Sequence, residues 1–253
     1  MSDPTSSAIL PGAEAWSHVG NSVGVLVLHG FTGNPTSMRG LADAFADAGY
    51  SVEMPRLPGH GTTVEDMLTT NWIDWSTEAE AALERLASRT DTQVVAGLSM
   101  GGSLTVWLGT CHPELAGLIC INPAAVASTE VRELVEALIA GGDDTMPGLG
   151  SDIAAPGVQE SAYDEVPLKP LLSMLEAAGE ISADIPKVEQ PMLLFTSPQD
   201  HVVPPTDSDF LAGEVSGTVE RVSCENSYHV ATQDLDKEMI FKRSVAFVGE
   251  VTA

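Results

Sequence analysis

The chain has 253 residues, 43% of them hydrophobic and 19% charged, and its mean hydropathy is +0.09. This size and composition predict one globular domain with a sizeable core and room for an insertion. Eleven basic against 36 acidic residues give a formal net charge of −25, which argues against nucleic acid as a partner and against polyanionic substrates.

No apolar run of about 18 residues is present, so we expect no membrane span and no stable membrane insertion. Residues Met1 to Ala8 show neither the basic region nor the apolar region of a secretory signal. The cysteine count is odd, and both Cys111 and Cys120 lie in apolar surroundings that predict buried thiols. We therefore expect a cytoplasmic, reduced protein, either a monomer or a small homo-oligomer.

The first predicted strand, Val23 to Leu28, is the most apolar in the chain and runs into the loop His29-Gly30-Phe31-Thr32-Gly33. Its two glycines let the backbone turn close to a site at the end of the strand. His29 is expected to bond locally and to hold this loop rather than to act as a base.

Helix and strand patterns alternate along most of the chain, which predicts a mainly parallel sheet flanked by helices. Asn34 and Pro35 can begin a helix whose apolar face, Leu41, Phe45 and Ala48, ends before Gly49. A second helix places six residues at helical spacing, with its tryptophans facing the core: Trp72, Trp75, Ala79, Ala82, Leu83 and Leu86. Strands are predicted at about 23–28, 50–54, 92–97, 116–121, 191–196 and 218–223, with a C-terminal helix at about 234–248.

The pentapeptide Gly97-Leu98-Ser99-Met100-Gly101 follows one of these strands and precedes a helical pattern. The G-x-S-x-G pattern alone occurs by chance, but this context predicts a serine on a sharp strand-to-helix turn. The flanking glycines are needed there because larger side chains would collide with the neighbouring strand and helix. The N–H groups of Phe31 and Met100 would then be the two donors to a developing oxyanion.

Residues 122–190 break the alternation. They contain an apolar helical face (Val131, Leu134, Val135, Leu138, Ile139), a flexible stretch at 141–150 and a short helix at 168–178. Because a structureless loop of this length is uncommon in a compact domain, we expect a cap of residues 122–190 over a core of 1–121 and 191–253. Its apolar faces should pack above Ser99 and form an acyl pocket. The pair Asp143-Asp144 has no clustered partner at ligand spacing, so a solvated loop is favoured over a metal site.

The acid and the base come from the last third of the chain. Asp200 follows the buried strand 191–196, where an open α/β sheet places site residues, whereas Asp207 and Asp209 resemble the first turn of the next helix. Of six histidines, His201 and His229 alone lie well downstream of Ser99, as the chain order serine, acid, histidine requires. His229 lies on a polar loop between a strand and the C-terminal helix, whereas His201 adjoins the acid and is expected to be an ordinary loop residue.

These segments, together with Pro58-Gly59-His60-Gly61 and Asp200-His201-Val202-Val203-Pro204, resemble an α/β-hydrolase over roughly residues 20 to 250. More narrowly, they resemble bacterial carboxylesterases and monoacylglycerol lipases with a small cap. The resemblance implies Ser99 as nucleophile, Asp200 as acid, His229 as base, and Phe31 and Met100 as the oxyanion residues. The HGGG loop of the hormone-sensitive lipase branch is absent.

We therefore expect a serine hydrolase that cleaves neutral short- to medium-chain esters or monoacylglycerols through an acyl-enzyme, without cofactor or metal. The residues predicted to contact substrate are Phe31, Leu138, Met146, Leu172 and Val202. A thioesterase, a lactonase or a C–C hydrolase remains open, since the same residues serve all of them. A catalytically silent binding protein is disfavoured by the complete set, and a dehalogenase by the serine at position 99.

Overall fold

The computed structural model describes residues 7–253, so most of the stretch examined for a leader lies outside the described residues. Seven strands form the main sheet: β1 (Trp16–His18), β2 (Val23–Leu28), β3 (Ser51–Met54), β4 (Thr92–Leu98), β5 (Gly117–Ile121), β8 (Met192–Thr196) and β9 (Val219–Ser223). Two short strands, β6 (Thr145–Pro147) and β7 (Glu165–Pro167), pair antiparallel outside it. The helices are α1 (Arg39–Asp47), α2 (Val64–Met67), α3 (Trp72–Ala87), α4 (Met100–Cys111), α5 (Thr129–Gly141), α6 (Leu168–Asp184), α7 (Pro205–Glu214) and α8 (Lys237–Val251).

The strand order in the main sheet is β1-β3-β2-β4-β5-β8-β9. Only β1, an edge strand that the sequence patterns did not predict, is antiparallel to its neighbour; the other pairs are parallel. Each predicted strand is present within about one residue of its expected bounds. Because the central strands are parallel, their carboxyl ends all open on one edge of the sheet.

Alternate residues of the strands feed two separate hydrophobic layers, as the period of two along a strand requires. Leu26 and Leu28 pack in the layer formed with α3, α4, α6 and α7. Val25 and Val27 pack in the layer formed with α1 and α8. A mostly parallel sheet covered by helices on both faces is therefore confirmed, and the six residues predicted for the buried face of α3 are all buried.

The segment between β5 and β8 differs from its sequence prediction in detail. Its second helix, α6, continues to Asp184 rather than ending near residue 178, because it packs against the helix layer of the core throughout its length. The stretch predicted to be flexible contains β6, which pairs with β7. The face expected on α5 is only partly covered: Val135 is fully buried, whereas Val131 and Leu134 are 39% and 53% exposed.

Two further predictions about single residues are wrong. Cys111 is exposed at the end of α4, while Cys120 and Cys224 are buried thiols. Ala48 is exposed because α1 ends one residue before it, so it no longer shares the face of Leu41 and Phe45. Within residues 7–253, no helix is long and apolar enough to cross a membrane.

Candidate active site

Ser99 lies at the turn between β4 and α4, as the pentapeptide predicts. Its backbone angles, φ 56° and ψ −117°, are strained for a residue with a side chain, at a cost of about 1–3 kcal/mol. The Ser99 N–H donates to the carbonyl of Ile121 at 3.0 Å, which fixes the turn to the end of the neighbouring strand. The serine is thus held in a conformation that its surroundings impose.

The two flanking glycines are sterically required. A Cβ on Gly97 would lie 2.0 Å from the Gly101 oxygen, and a Cβ on Gly101 would lie 2.3 Å from the Leu28 oxygen. Both clashes involve backbone atoms, which cannot rotate away. The turn can therefore pack this closely against β2 and α4 only with glycine at both positions.

Asp200 and His229 form a buried hydrogen-bonded pair at the same edge of the sheet. His229 Nδ1 lies 2.7 Å from Asp200 Oδ2, and the two side chains are 8% and 2% exposed. The other carboxylate oxygen, Oδ1, accepts the N–H groups of Val202 and Val203, both at 2.8 Å. With Asp200 so fixed, His229 Nδ1 carries the proton and Nε2 is left as the basic nitrogen.

The rival residues occupy other roles. Asp207 lies in the first turn of α7, where it accepts the Val126 N–H at 3.0 Å, and burial raises the pKa of this carboxyl above its usual range. Asp209 pairs with Arg221 on the surface. The His201 side chain is 61% exposed and points to Asp152, 2.8 Å from its Oδ1. None of the three contacts His229 through a side-chain hydrogen bond.

The backbone of His229 is held by side chains rather than by a helix or strand. Its N–H donates to Asp152 Oδ2 at 3.0 Å, and its carbonyl accepts from Asn122 Nδ2 at 2.8 Å. Asn122 follows β5 with a positive φ of 43° and also binds Ser197, just after β8. Sequence reasoning assigned no role to Asn122 or Asp152, since only the fold brings them to the histidine. The single local signal for Asn122 was its place directly after a buried strand, since asparagine tolerates the positive φ that such a turn can require.

His29 organises the loop after β2, as expected. Its Nε2 accepts the Leu57 N–H at 3.1 Å, so the proton resides on Nδ1, which lies 3.0 Å from the Gly30 carbonyl. Burial lowers the pKa of His29 to about 4, which keeps the ring neutral. Because a trans peptide unit directs its N–H opposite to its carbonyl, this bond turns the Phe31 N–H away from His29.

The loop after β2, residues 29–33, carries the predicted oxyanion donor Phe31 and is called the oxyanion loop; it is in close contact with the serine turn. A Cβ on Gly30 would lie 3.3 Å from the Ser99 Cβ. Met100 is the first residue of α4, so its N–H has no acceptor within the helix. Within residues 7–253, neither this N–H nor that of Phe31 donates to another backbone group outside regular elements. Two free donors therefore flank the serine.

The Phe31 side chain is supported from below by an aromatic cluster. Its ring makes edge contacts with Trp75 at 5.6 Å and with His60 at 6.3 Å between centroids. Trp75 Nε1 donates to the Pro58 carbonyl at 3.1 Å, and His60 Nδ1 lies 3.0 Å from the same oxygen. The Pro58-Gly59-His60-Gly61 motif, of which His60 and Gly61 are buried, thus supports the oxyanion loop.

Residues 152–163 cross between the oxyanion loop and the loop that carries His229, residues 224–230, which is called the histidine loop. The Tyr163 N–H donates to the Thr32 carbonyl at 3.2 Å, and its hydroxyl donates to the Gly59 carbonyl at 2.7 Å. Glu160 lies over Gly33, where an added Cβ would come within 2.9 Å of its Oε1. Ser99 and His229 are only 8% and 7% exposed beneath this crossing.

The predicted substrate contacts divide into two groups. Phe31, Leu138, Met146 and Leu172 are partly buried and pack against the same hydrophobic layer as Met100. Val202 is 41% exposed, and its role in the structure is the backbone hydrogen bond to Asp200. In the part of the chain that the structure describes, no three His, Cys, Asp or Glu side chains are grouped to hold a metal ion.

Comparison with known proteins agrees with this architecture. The model of the "Alpha/beta hydrolase family" matches residues 25–238. A thermostable monoacylglycerol lipase of Bacillus sp. (strain H-257) is 42% identical over 245 residues, 96% of each chain. A carboxylesterase of Bacillus subtilis (strain 168) is 24% identical over 92% of this chain and 94% of its own.

Solved structures extend the comparison. A structure described with the metagenome-derived lipolytic enzymes LipS and LipT superposes with a TM-score of 0.92, at 42% identity, covering 96% of this chain and all of its own. The monoacylglycerol lipase of Paleococcus ferrophilus superposes with a TM-score of 0.76 at 17% identity, over 94% of this chain and 99% of its own, which is a likeness of fold. With a family model across most of its length and a 42% identical relative over 96% of it, this chain belongs to the alpha/beta hydrolase family.

Proposed function

We propose that this protein is a serine esterase that hydrolyses neutral carboxylic esters, with Ser99, Asp200 and His229 as its catalytic triad. The observation that carries the proposal is the strained Ser99 at the start of α4, on the sheet edge that also holds the buried Asp200–His229 pair. A strained serine and a buried carboxylate–imidazole pair both cost stability, and catalysis gives a reason for both. The relatives named for lipase and carboxylesterase activity support the same assignment.

The mechanism uses only groups of this chain and one water. Ser99 Oγ attacks the ester carbonyl as His229 Nε2 takes its proton, and the oxyanion forms between the N–H groups of Phe31 and Met100. Asp200 stabilises the imidazolium through the 2.7 Å hydrogen bond to Nδ1. His229 then protonates the leaving alcohol, and water repeats the cycle on the acyl-enzyme to release the acid.

Residues 122–190 act as a cap in this proposal. The crossing of residues 152–163 over the oxyanion and histidine loops supports it, as does the burial of Ser99 and His229 beneath that crossing. Leu138, Met146 and Leu172 of the same segment contribute apolar side chains to the layer that includes Phe31. An acyl chain placed there gains about 0.8 kcal/mol per buried methylene, or roughly fourfold in kcat/KM, until the pocket is full.

The substrate class that we propose is short- to medium-chain esters, including monoacylglycerols. A neutral ester fits a chain whose formal charge is −25, since an anionic one would be repelled.

We also propose a cytoplasmic monomer or small homo-oligomer. Three unpaired cysteines fit a reducing compartment, and burial raises the pKa of Cys120 and Cys224 to about 12, which keeps those thiols protonated.

A panel of p-nitrophenyl esters and monoacylglycerols of graded acyl length tests the proposal, with wild type and Ser99→Ala compared. We expect kcat/KM to rise with acyl length to a medium optimum and then to fall. Ser99→Ala should lose activity on the order of a million-fold while it keeps its fold.

The matched control is Ser88→Ala, at the exposed end of α3, which should behave as wild type. A fluorophosphonate probe should label Ser99 alone. A Ser99→Ala variant with more than about a tenth of wild-type turnover, or labelling at another serine, would refute the assignment.

A further inference from the structure

Asp152, an acidic residue of the 122–190 segment, has a side chain that is only 13% exposed, and both of its carboxylate oxygens have hydrogen-bond partners. Its Oδ2 accepts two backbone N–H groups, from His229 at 3.0 Å and from His201 at 3.1 Å. Its Oδ1 lies 2.8 Å from His201 Nδ1. One carboxylate of the segment thus joins the loop of the base to the loop of the acid, since His201 directly follows Asp200.

The contacts around Asp152 are reciprocal, so its own position is well fixed. The Asp152 carbonyl accepts the Val230 N–H at 3.2 Å. Asp234, 1% exposed, accepts N–H groups from Ala154 at 2.7 Å and from Ala155 at 2.9 Å, while it also holds the Tyr228 N–H at 2.8 Å. Residues 152–155 and the histidine loop therefore form one hydrogen-bonded unit.

His229 has no other regular support for its N–H. It lies between β9 and α8, outside every helix and strand. Its carbonyl is held by Asn122, directly after β5, and its N–H is held by Asp152, further along the 122–190 segment. Without Asp152, one of the two backbone anchors of His229 is lost, and the contacts of the same carboxylate to His201 are lost with it.

We propose that Asp152 is a positioning residue: through its hydrogen bonds, the position of the 122–190 segment determines the geometry of the Asp200–His229 pair. This rests on the proposed function, because it concerns the catalytic pair of that same site. The carboxylate does not touch the reacting atoms; it sets where the His229 ring stands relative to Asp200. A displacement of the base by about 1 Å lowers turnover by about 100-fold, while substrate binding is little affected.

The test compares Asp152→Ala with Asp152→Asn at 25 °C on p-nitrophenyl butyrate. The amide oxygen of Asn can accept the two N–H groups, and its NH₂ can donate to His201 Nδ1 when that ring carries its proton on Nε2. We expect Asp152→Ala to lose about 100-fold in kcat with KM within threefold, and Asp152→Asn to stay within fivefold of wild type. The fluorophosphonate labelling rate of Ser99 should fall in parallel for Asp152→Ala, since labelling requires the base but no substrate binding.

Asp164→Ala is the control, because Asp164 is an exposed acidic residue of the same segment, and it should match wild type. His201→Ala covers the case in which Asp152→Ala does not fold. Its ring is 61% exposed, and the variant keeps the backbone N–H to Asp152 Oδ2 but removes the side-chain contact at Oδ1, which should lower kcat three- to tenfold with KM unchanged.

Four results would overturn the proposal: a folded Asp152→Ala with kcat within twofold of wild type, a loss confined to KM, an Asp152→Asn as impaired as Asp152→Ala, or, if Asp152→Ala is unfolded, a His201→Ala equal to wild type. Ser99→Ala, measured alongside, separates the two levels of inference. More than about a tenth of wild-type turnover in Ser99→Ala refutes the proposed function, whereas an inactive Ser99→Ala beside an unimpaired Asp152→Ala refutes the positioning role alone.

Discussion

Gly101→Ala is the most informative single change that the structure suggests, because it adds one methyl group where the serine turn meets the central strand. The new Cβ would lie 2.3 Å from the Leu28 oxygen, 2.7 Å from the Leu28 carbonyl carbon and 2.8 Å from the His29 oxygen. Ordinary van der Waals contact begins at 3.4 Å. All three neighbours are backbone atoms, so the two segments must separate by about 1 Å.

The direction of that separation determines the effect on activity. Leu28 ends β2, which is paired with strands on both sides, so the serine turn and the loop that begins at His29 move apart. These two segments carry the proposed oxyanion donors, Met100 and Phe31. We expect kcat to fall about 100-fold from the misplaced donors, and stability to fall by about 1–3 kcal/mol from overpacking. The better helix propensity of alanine offsets less than about 1 kcal/mol of that loss.

The assay is p-nitrophenyl butyrate hydrolysis at 25 °C, together with urea unfolding to obtain the free energy of unfolding. Gly213→Ala is the matched control, since its Cβ would point into open space on the exposed side of α7. It should leave kcat unchanged and raise stability by up to about 1 kcal/mol. Gly101→Ala with more than a third of wild-type kcat and unchanged stability would show that the packing argument is mistaken.

Two further predictions, tested with three substitutions, concern the acidic residues around the site. Asp200→Asn should lower kcat by about 10⁴-fold, because the amide favours the wrong His229 tautomer, while Asp207→Asn keeps its acceptor for the Val126 N–H and should change kcat less than threefold; the reverse ranking in a steady-state assay would reassign the acid. Glu160→Gln tests the pH dependence of stability. Burial raises the pKa of the Glu160 carboxyl, an effect that the charge of His229 partly opposes, so wild type loses stability as the pH rises through that pKa. The variant should have the higher Tm at pH 8, and the difference should shrink as the pH falls through the ordinary glutamate pKa of about 4.3, below which the carboxyl becomes protonated in both the folded and the unfolded chain; equal Tm values at pH 8 would contradict this.

Local sequence was sufficient for the parts of the fold and site that depend on neighbours along the chain. Apolar runs with turn signals located the six core strands, and helical spacing located the buried face of α3. The turn at Ser99 follows from five consecutive residues, because any side chain at its two glycine positions would clash with backbone atoms. The place of Asp200 directly after a strand favours it over Asp207, since parallel strands bring their carboxyl ends to one edge of the sheet.

Only the tertiary structure decided how covered each apolar residue is and which side chains hold His229. Periodicity marks Val131 and Leu134 as one face with Val135, but burial requires a second surface, and α6 reaches only part of that face. Asp152 and Asn122 contact His229 across 77 and 107 positions of sequence. Hydrogen bonds between residues so far apart in sequence form only when the fold brings three loops together at the sheet edge. The residues next to an aspartate or an asparagine are the same whether or not the fold places a distant hydrogen-bond partner beside it.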